Sequence, residues 1–98
     1  MPRLIWSLSS LRDLQDIDAY LTERHDAAAA RVLRAVRRAA ERLRDLPRIG
    51  PALEEPFRIM SVRTTPYLLV YRVLRDDVEV VRIRHSSENW THDPAGLL

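Results

Sequence analysis

The side chains best suited to chemistry in this 98-residue chain lie in its second half, where Arg63, Arg82, Arg84 and His85 stand in or beside runs of valine, isoleucine, leucine and tyrosine. Guanidinium forks match carboxylate and phosphate geometry, so three arginines near one sheet could hold an acidic protein or a phosphate. The competing reading is a solvated strand face with cross-strand charge pairs such as Arg72 with Glu79. His85 has an unperturbed pKa near neutrality and could pass a proton. Closing an apolar strand, it also fits a hydrogen-bonded structural histidine. Tyr67 and Tyr71 read as packing residues. Trp90 follows in a polar stretch, where an indole either caps the core edge or anchors a partner.

The elements that must position these residues can be traced from the start of the chain. Arg3 to Trp6 reads as a short strand, and Ser7 as the N-cap of a helix whose apolar residues Leu11, Leu14, Ile17 and Leu21 recur at spacings of three and four. This helix ends near Arg24 or His25. Asp26 is the expected cap of a second helix with the stripe Ala29, Val32, Leu33, Val36, Ala40, Leu43 and Leu46, stopped by Pro47. Its other face carries Arg31, Arg34, Arg38, Arg42 and Glu41, a charged face of the kind that is usually solvated and that could also meet DNA phosphates. A short link makes the pair a helical hairpin.

PRIGPALEEP, with three prolines and a glycine, is expected to be an irregular loop across the end of the domain. Beyond it the period changes from helical to alternating. Phe57 to Arg63, Tyr67 to Leu74 and Val78 to His85 read as three strands joined by the turns Thr64-Thr65-Pro66 and Arg75-Asp76-Asp77, forming two hairpins of one antiparallel sheet. Alternation sets Leu68 and Val70 apart from Tyr67, Leu69 and Tyr71, and sets Val81 and Ile83 apart from Val80, Arg82 and Arg84. One face is apolar and the other mixed, as in a sheet covered by helices on one side only. The expected fold is α+β, a helical hairpin packed on a small twisted antiparallel sheet in the order β-α-α-β-β-β.

Composition narrows the functions available. A chain of this length supports one core, so residues 1–98 are expected to form a single domain, with 90–98 a loose tail. No apolar run approaches a membrane span, and the opening MPRLIWS lacks the apolar stretch of a signal peptide, so a cytoplasmic protein is expected. There is no cysteine, and His25, His85 and His92 are too scattered for a zinc site, so neither a metal nor another cofactor is expected. All 16 basic residues are arginine. A GC-rich genome, favouring arginine and alanine codons, is the plain explanation for such a bias, and it still leaves a surface able to bind an acidic partner or nucleic acid. The formal net charge is only +2, which favours local basic patches over a purely electrostatic DNA binder.

Particular residues within this order carry a resemblance. They are the opening IWS with Leu14, Ile17 and Tyr20-Leu21, then AAAARV, LPRIG, PYLLVYRV and VEVVRIRH, followed by Trp90. Over about Arg3 to Trp90 the chain resembles the ParE/RelE toxin superfamily of type II toxin–antitoxin systems. The resemblance implies a toxin neutralised by a ParD-like antitoxin with a ribbon-helix-helix DNA-binding head and a tail that folds on the toxin, the two forming a hetero-oligomer that reaches DNA only through the antitoxin. Leu11, Leu14, Ile17 and Tyr20 are candidates for the surface the tail covers. Arg63, Arg82, Arg84, His85 and Trp90 are candidates for meeting the target.

Within the superfamily the residues fit the ParE branch, which poisons DNA gyrase, better than the RelE branch of ribosome-dependent ribonucleases. The nuclease pattern has an arginine directly after the first tyrosine of the third strand, where this chain has Leu68. A further basic residue is expected past the fourth strand, where Ser86, Ser87 and Glu88 stand. Leucine cannot stabilise phosphate charge, and losing such a donor costs roughly 3–4 kcal/mol in a transition state. The ParE branch commonly has an arginine two residues before the terminal tryptophan, and Glu88 departs from that too. No catalytic residue is therefore assigned. The rival functions are a ribonuclease using Arg82, Arg84 and His85, and an inert module that binds only its antitoxin.

Overall fold

The computed structural model describes residues 2–88 and 93–96 of the chain. Its elements are β1 (Leu4–Trp6), α1 (Leu8–Arg24), α2 (Asp26–Asp45), β2 (Phe57–Ser61), β3 (Tyr67–Leu74) and β4 (Asp77–His85). This is the α+β order expected from the sequence. The strands lie side by side as β1-β4-β3-β2. β2, β3 and β4 pair antiparallel as expected, but β1 runs parallel to β4, so the sheet is mixed. No hairpin can join parallel neighbours, and the two helices belong to the long return such a pair requires.

Local chemistry sets the helix ends. The Ser7 hydroxyl accepts from the Ser10 N–H at 3.0 Å and donates to the Val81 carbonyl at 2.7 Å, so one side chain caps α1 and fastens it to β4. The expectation of Asp26 as the cap of α2 is corrected: His25 takes that position without a side-chain bond, and Asp26 is the first helical residue. The two helices share this single linking residue, and the Asp26 carboxylate still favours the positive end of the α2 dipole. The α1 stripe is also narrower than expected. Leu11 is exposed, and the fully buried Ser10, whose hydroxyl donates to the Ser7 carbonyl, lies on the inner face instead.

The core joins Ile17 of α1 and Val32, Val36, Ala40 and Leu43 of α2 to Leu69, Tyr71, Val78, Val80 and Ile83 of the sheet. Simple alternation would set Val80 and Ile83 on opposite faces. They share the core face because Tyr71 pairs with Val80 while Val70 pairs with Arg82, leaving Val81 as the extra residue of a bulge. Leu74 pairs with Asp77, so the β3–β4 turn is one residue shorter than expected, with Arg75 at φ 58°. Asp77 is held in the ladder because its carboxylate accepts from the Arg3 backbone at 2.9 Å and from the Arg3 guanidinium at 2.9 and 3.3 Å.

The proline-rich loop is not idle. Its Pro51 carbonyl accepts from the Ile59 N–H at 3.1 Å and its Leu53 N–H donates to the Phe57 carbonyl at 2.9 Å, which covers much of the outer edge of β2. The Gly50 N–H donates to the Tyr71 hydroxyl at 3.0 Å. A Cβ at Gly50 would stand 2.1 Å from the Ile59 carbonyl oxygen, so this close approach admits only glycine.

Candidate functional site: an arginine-bearing sheet face and an adjoining groove

The face of the sheet turned away from the helices carries Leu68, Val70 and Arg72 of β3 opposite Arg84, Arg82 and Glu79 of β4. Arg72 Nε and Glu79 Oε1 are 2.7 Å apart, the cross-strand pair anticipated from the sequence. Arg82 is gripped by Asp13 of α1, with Nε and Nη2 donating at 2.7 and 3.0 Å, and the same carboxylate accepts from the Ile83 N–H at 2.9 Å. Asp13 thus holds a cation and closes the edge of β4 beyond the last residue of β1. The hydrogen bonds that Arg82 donates to Asp13 raise the affinity of its guanidinium for its proton still further.

Arg84 is also engaged. Its side chain is only 12% exposed, with Nη1 at 3.6 Å from Glu88 Oε2, and it donates to the carbonyls of Asp93 at 2.9 Å and Pro94 at 3.3 Å. Arg63 stands apart from this pair. It is exposed in the β2–β3 turn, where it lines a shallow groove with Arg38 and Arg42 of α2. The structure therefore brings Arg82 and Arg84 together and leaves Arg63 on another surface. Trp90 lies outside the described residues.

His85 sits at the far end of β4, its ring edge-on to Tyr67 at a centroid distance of 5.3 Å. Its Nδ1 accepts from the Ser87 N–H at 3.1 Å and lies 2.7 Å from the Ser87 hydroxyl, while its backbone N–H donates to Glu88. Burial, with smaller contributions from Tyr20 and Glu88, pushes the Tyr67 hydroxyl above its ordinary range, so it is neutral at physiological pH. The pair borders a groove whose walls include Ile17, Tyr20, Leu21 and His25 of the helical hairpin.

The four residues proposed for the antitoxin surface separate. Tyr20 is 53% exposed in that groove, with the Arg24 guanidinium 4.0 Å above its ring centre. Leu11 is 43% exposed but lies nine residues earlier, about two and a half helical turns, which places it on the opposite flank. Leu14 packs against the core and Ile17, at 8% exposure, belongs to it. Ile17 is thus mostly spent on the sheet and meets the groove only as part of its wall. The sequence reading missed Asp13 and Glu88. Asp13 had one usable signal: three residues after Ser10 and four before Ile17, it lies beside the buried stripe, where a carboxylate needs a partner.

A helical hairpin on one face of a small mixed sheet, with Arg82 and Arg84 on the other, defines a compact α+β domain. The chain belongs to the ParE toxin family of type II toxin–antitoxin systems, parDE, whose family model matches residues 4–90. It is 36% identical over 93 residues to the putative toxin Y4kP of Sinorhizobium fredii, covering 90% of this chain and 92% of that protein. It is also 31% identical over 87 residues to toxin RelE2 of Caulobacter vibrioides, covering 89% and 98%. A chain of the chromosomal ParDE system from P. aeruginosa shares the fold, with a TM-score of 0.70 at 17% identity over 87% of this chain and 96% of that one. The protein is thus the toxin component of a type II toxin–antitoxin system, and an antitoxin is its implied partner.

Proposed function

We propose that this toxin acts by binding DNA gyrase rather than by cleaving RNA, that it does so in the cytoplasm, and that a ribbon-helix-helix antitoxin neutralises it. The observation that carries the reading is the chemistry of the sheet face turned away from the helices. A ribonuclease must offer preorganised, unpaired donors to a phosphate whose charge grows in the transition state. Here Leu68 occupies the position of the nuclease arginine and is buried, at 6% exposure. Arg82 is committed to Asp13, and Arg84 to backbone carbonyls and Glu88. Two carboxylates beside the arginines repel a phosphate. A protein target asks less of such a face, since shape and a few anchoring side chains suffice. The exposed Tyr20 and the groove at His85 suit a folding antitoxin tail, because an aromatic ring beside an apolar floor supplies a docking anchor.

Purified toxin added separately to a gyrase supercoiling reaction and to a translation reaction tests this reading. Inhibited supercoiling with intact message is expected. Cleaved message with normal supercoiling would overturn it in favour of the nuclease, a reading that the likeness to toxin RelE2 keeps in view.

A further inference from the structure

Leu68 and Val70 are almost inaccessible, at 6% and 0% exposure, yet neither belongs to the core cluster beneath the helices. Their side chains lie on the other face of the sheet. Among the described residues, 93–96 lie beside that patch, against Arg82 and Arg84. Pro94 and Ala95 are buried, and the segment is fastened by Arg84, which donates to the carbonyls of Asp93 and Pro94. Arg84 and Arg82 stand opposite Leu68 and Val70 in the ladder, so a segment touching both arginines lies over the same patch. Gly96 fits against the arginines with no room to spare. It has φ +71°, and a Cβ there would stand 1.8 Å from Arg82 Nη1 and 3.2 Å from Arg84 Nη2. Arg82 cannot swing aside without losing its two bonds to Asp13.

Residues 93–96 form a turn closed by the Gly96 N–H, which donates to the Asp93 carbonyl at 3.0 Å. A turn whose carbonyls meet a guanidinium, with Pro94 and Ala95 buried beside it, is one way a polypeptide segment packs on a sheet face. We propose that residues 93–96 form a strap occupying in cis a binding surface for a protein partner, and that the partner reaches Leu68, Val70 and Arg84 only when the strap lifts. The inference rests on the gyrase reading for the identity of that partner, and on the strap's own contacts for the masking. The hydrogen bonds from Arg84 are to backbone carbonyls of a four-residue turn outside the hairpin core, and local openings of such peripheral segments need not unfold the core.

Two full-length variants separate masking from target choice. Gly96→Val places a side chain against the pinned Arg82, and Ala95→Glu puts a charge into the buried contact. Phenylglyoxal, which modifies accessible guanidinium groups, reads the strap by mass spectrometry, with the exposed Arg63 as internal reference. In the parent, Arg84 is expected to react more slowly than Arg63; in both variants its rate rises about tenfold relative to Arg63, the factor corresponding to a closure weakened by about 1.4 kcal/mol. Half-inhibition of supercoiling then needs less of either variant than of the parent. Equal rates for Arg84 and Arg63 in the parent would overturn the strap. Unmasked Arg84 with no gain in supercoiling inhibition or in growth arrest would overturn the surface as the partner site. Earlier growth arrest by both variants, with no gyrase inhibition by any of the three proteins, upholds the strap and sinks gyrase as target.

Discussion

Single side chains in this toxin hold more than one element at a time. Asp13 serves α1, the arginine face and the open edge of β4 together. Its side chain is 12% exposed and that of Arg82 21%, so removing the carboxylate strands a largely buried cation as well as a strand amide. Asp13→Ala is expected to destabilise the fold by roughly 3 kcal/mol, read as a lower urea midpoint with an unchanged slope. Tyr71 acts similarly between sheet and loop. Tyr71→Phe removes the acceptor of the Gly50 N–H and should cost about 1–3 kcal/mol in the same assay. Burial raises the Tyr71 hydroxyl above its usual range, with the Gly50 N–H partly opposing the shift, so the fold favours the neutral phenol. That stability is present below the ordinary tyrosine pKa and lost as pH rises through the folded value, because the phenolate is costly to bury. A tyrosine in a strand announces burial in the sequence. That its hydroxyl would find the one glycine before Pro51 could not be read there, because the two meet only across the folded loop.

Among the elements, β1 has the least to hold it. It is three residues long and pairs with β4 alone, so its attachment leans on the Arg3–Asp77 contact at its start. Bonds from the Arg3 side chain and then its backbone hold the Asp77 carboxyl below its ordinary range. A depressed folded pKa stabilises above the unfolded value and is lost as pH falls through the folded one. The β1–β4 pairing should therefore loosen under acid before the β3–β4 hairpin does. Hydrogen exchange of the Val78 amide, which donates to the Arg3 carbonyl, should accelerate at low pH relative to Leu69, and in Asp77→Asn the acid-dependent part should vanish. Helices and hairpins were legible from period and turn residues, since both are local. The parallel placement of β1 was not, because strand alternation is the same for either direction. The bulge at Val81 escaped for a related reason: one inserted residue changes the facing of all that follow, and only the partner strand reveals it.

At the scale of the whole molecule, two surfaces are available for two partners. The helical hairpin offers Tyr20 and the groove beside His85, whereas the opposite sheet face lies under residues 93–96. If the antitoxin tail docks in the groove, Tyr20→Ala should weaken antitoxin binding by about 2 kcal/mol by titration calorimetry, leaving the urea midpoint nearly unchanged. Ile17→Ala should do the reverse, costing about 2–4 kcal/mol of fold stability through a core cavity. Equal losses of antitoxin affinity in both would contradict this division. By itself the sequence determined the α+β order, the packing role of Tyr67 and Tyr71 and the membership of a toxin superfamily, because periodicity, capping and motif spacing are properties of neighbours along the chain. Only the tertiary structure decided which arginines are free. Arg63, Arg82 and Arg84 are alike as sequence, but a guanidinium becomes a binding group or a brace according to the carboxylates and carbonyls that folding brings within about 3 Å of it, and here those come from α1 and from residues 93–94, distant or unremarkable in the linear order.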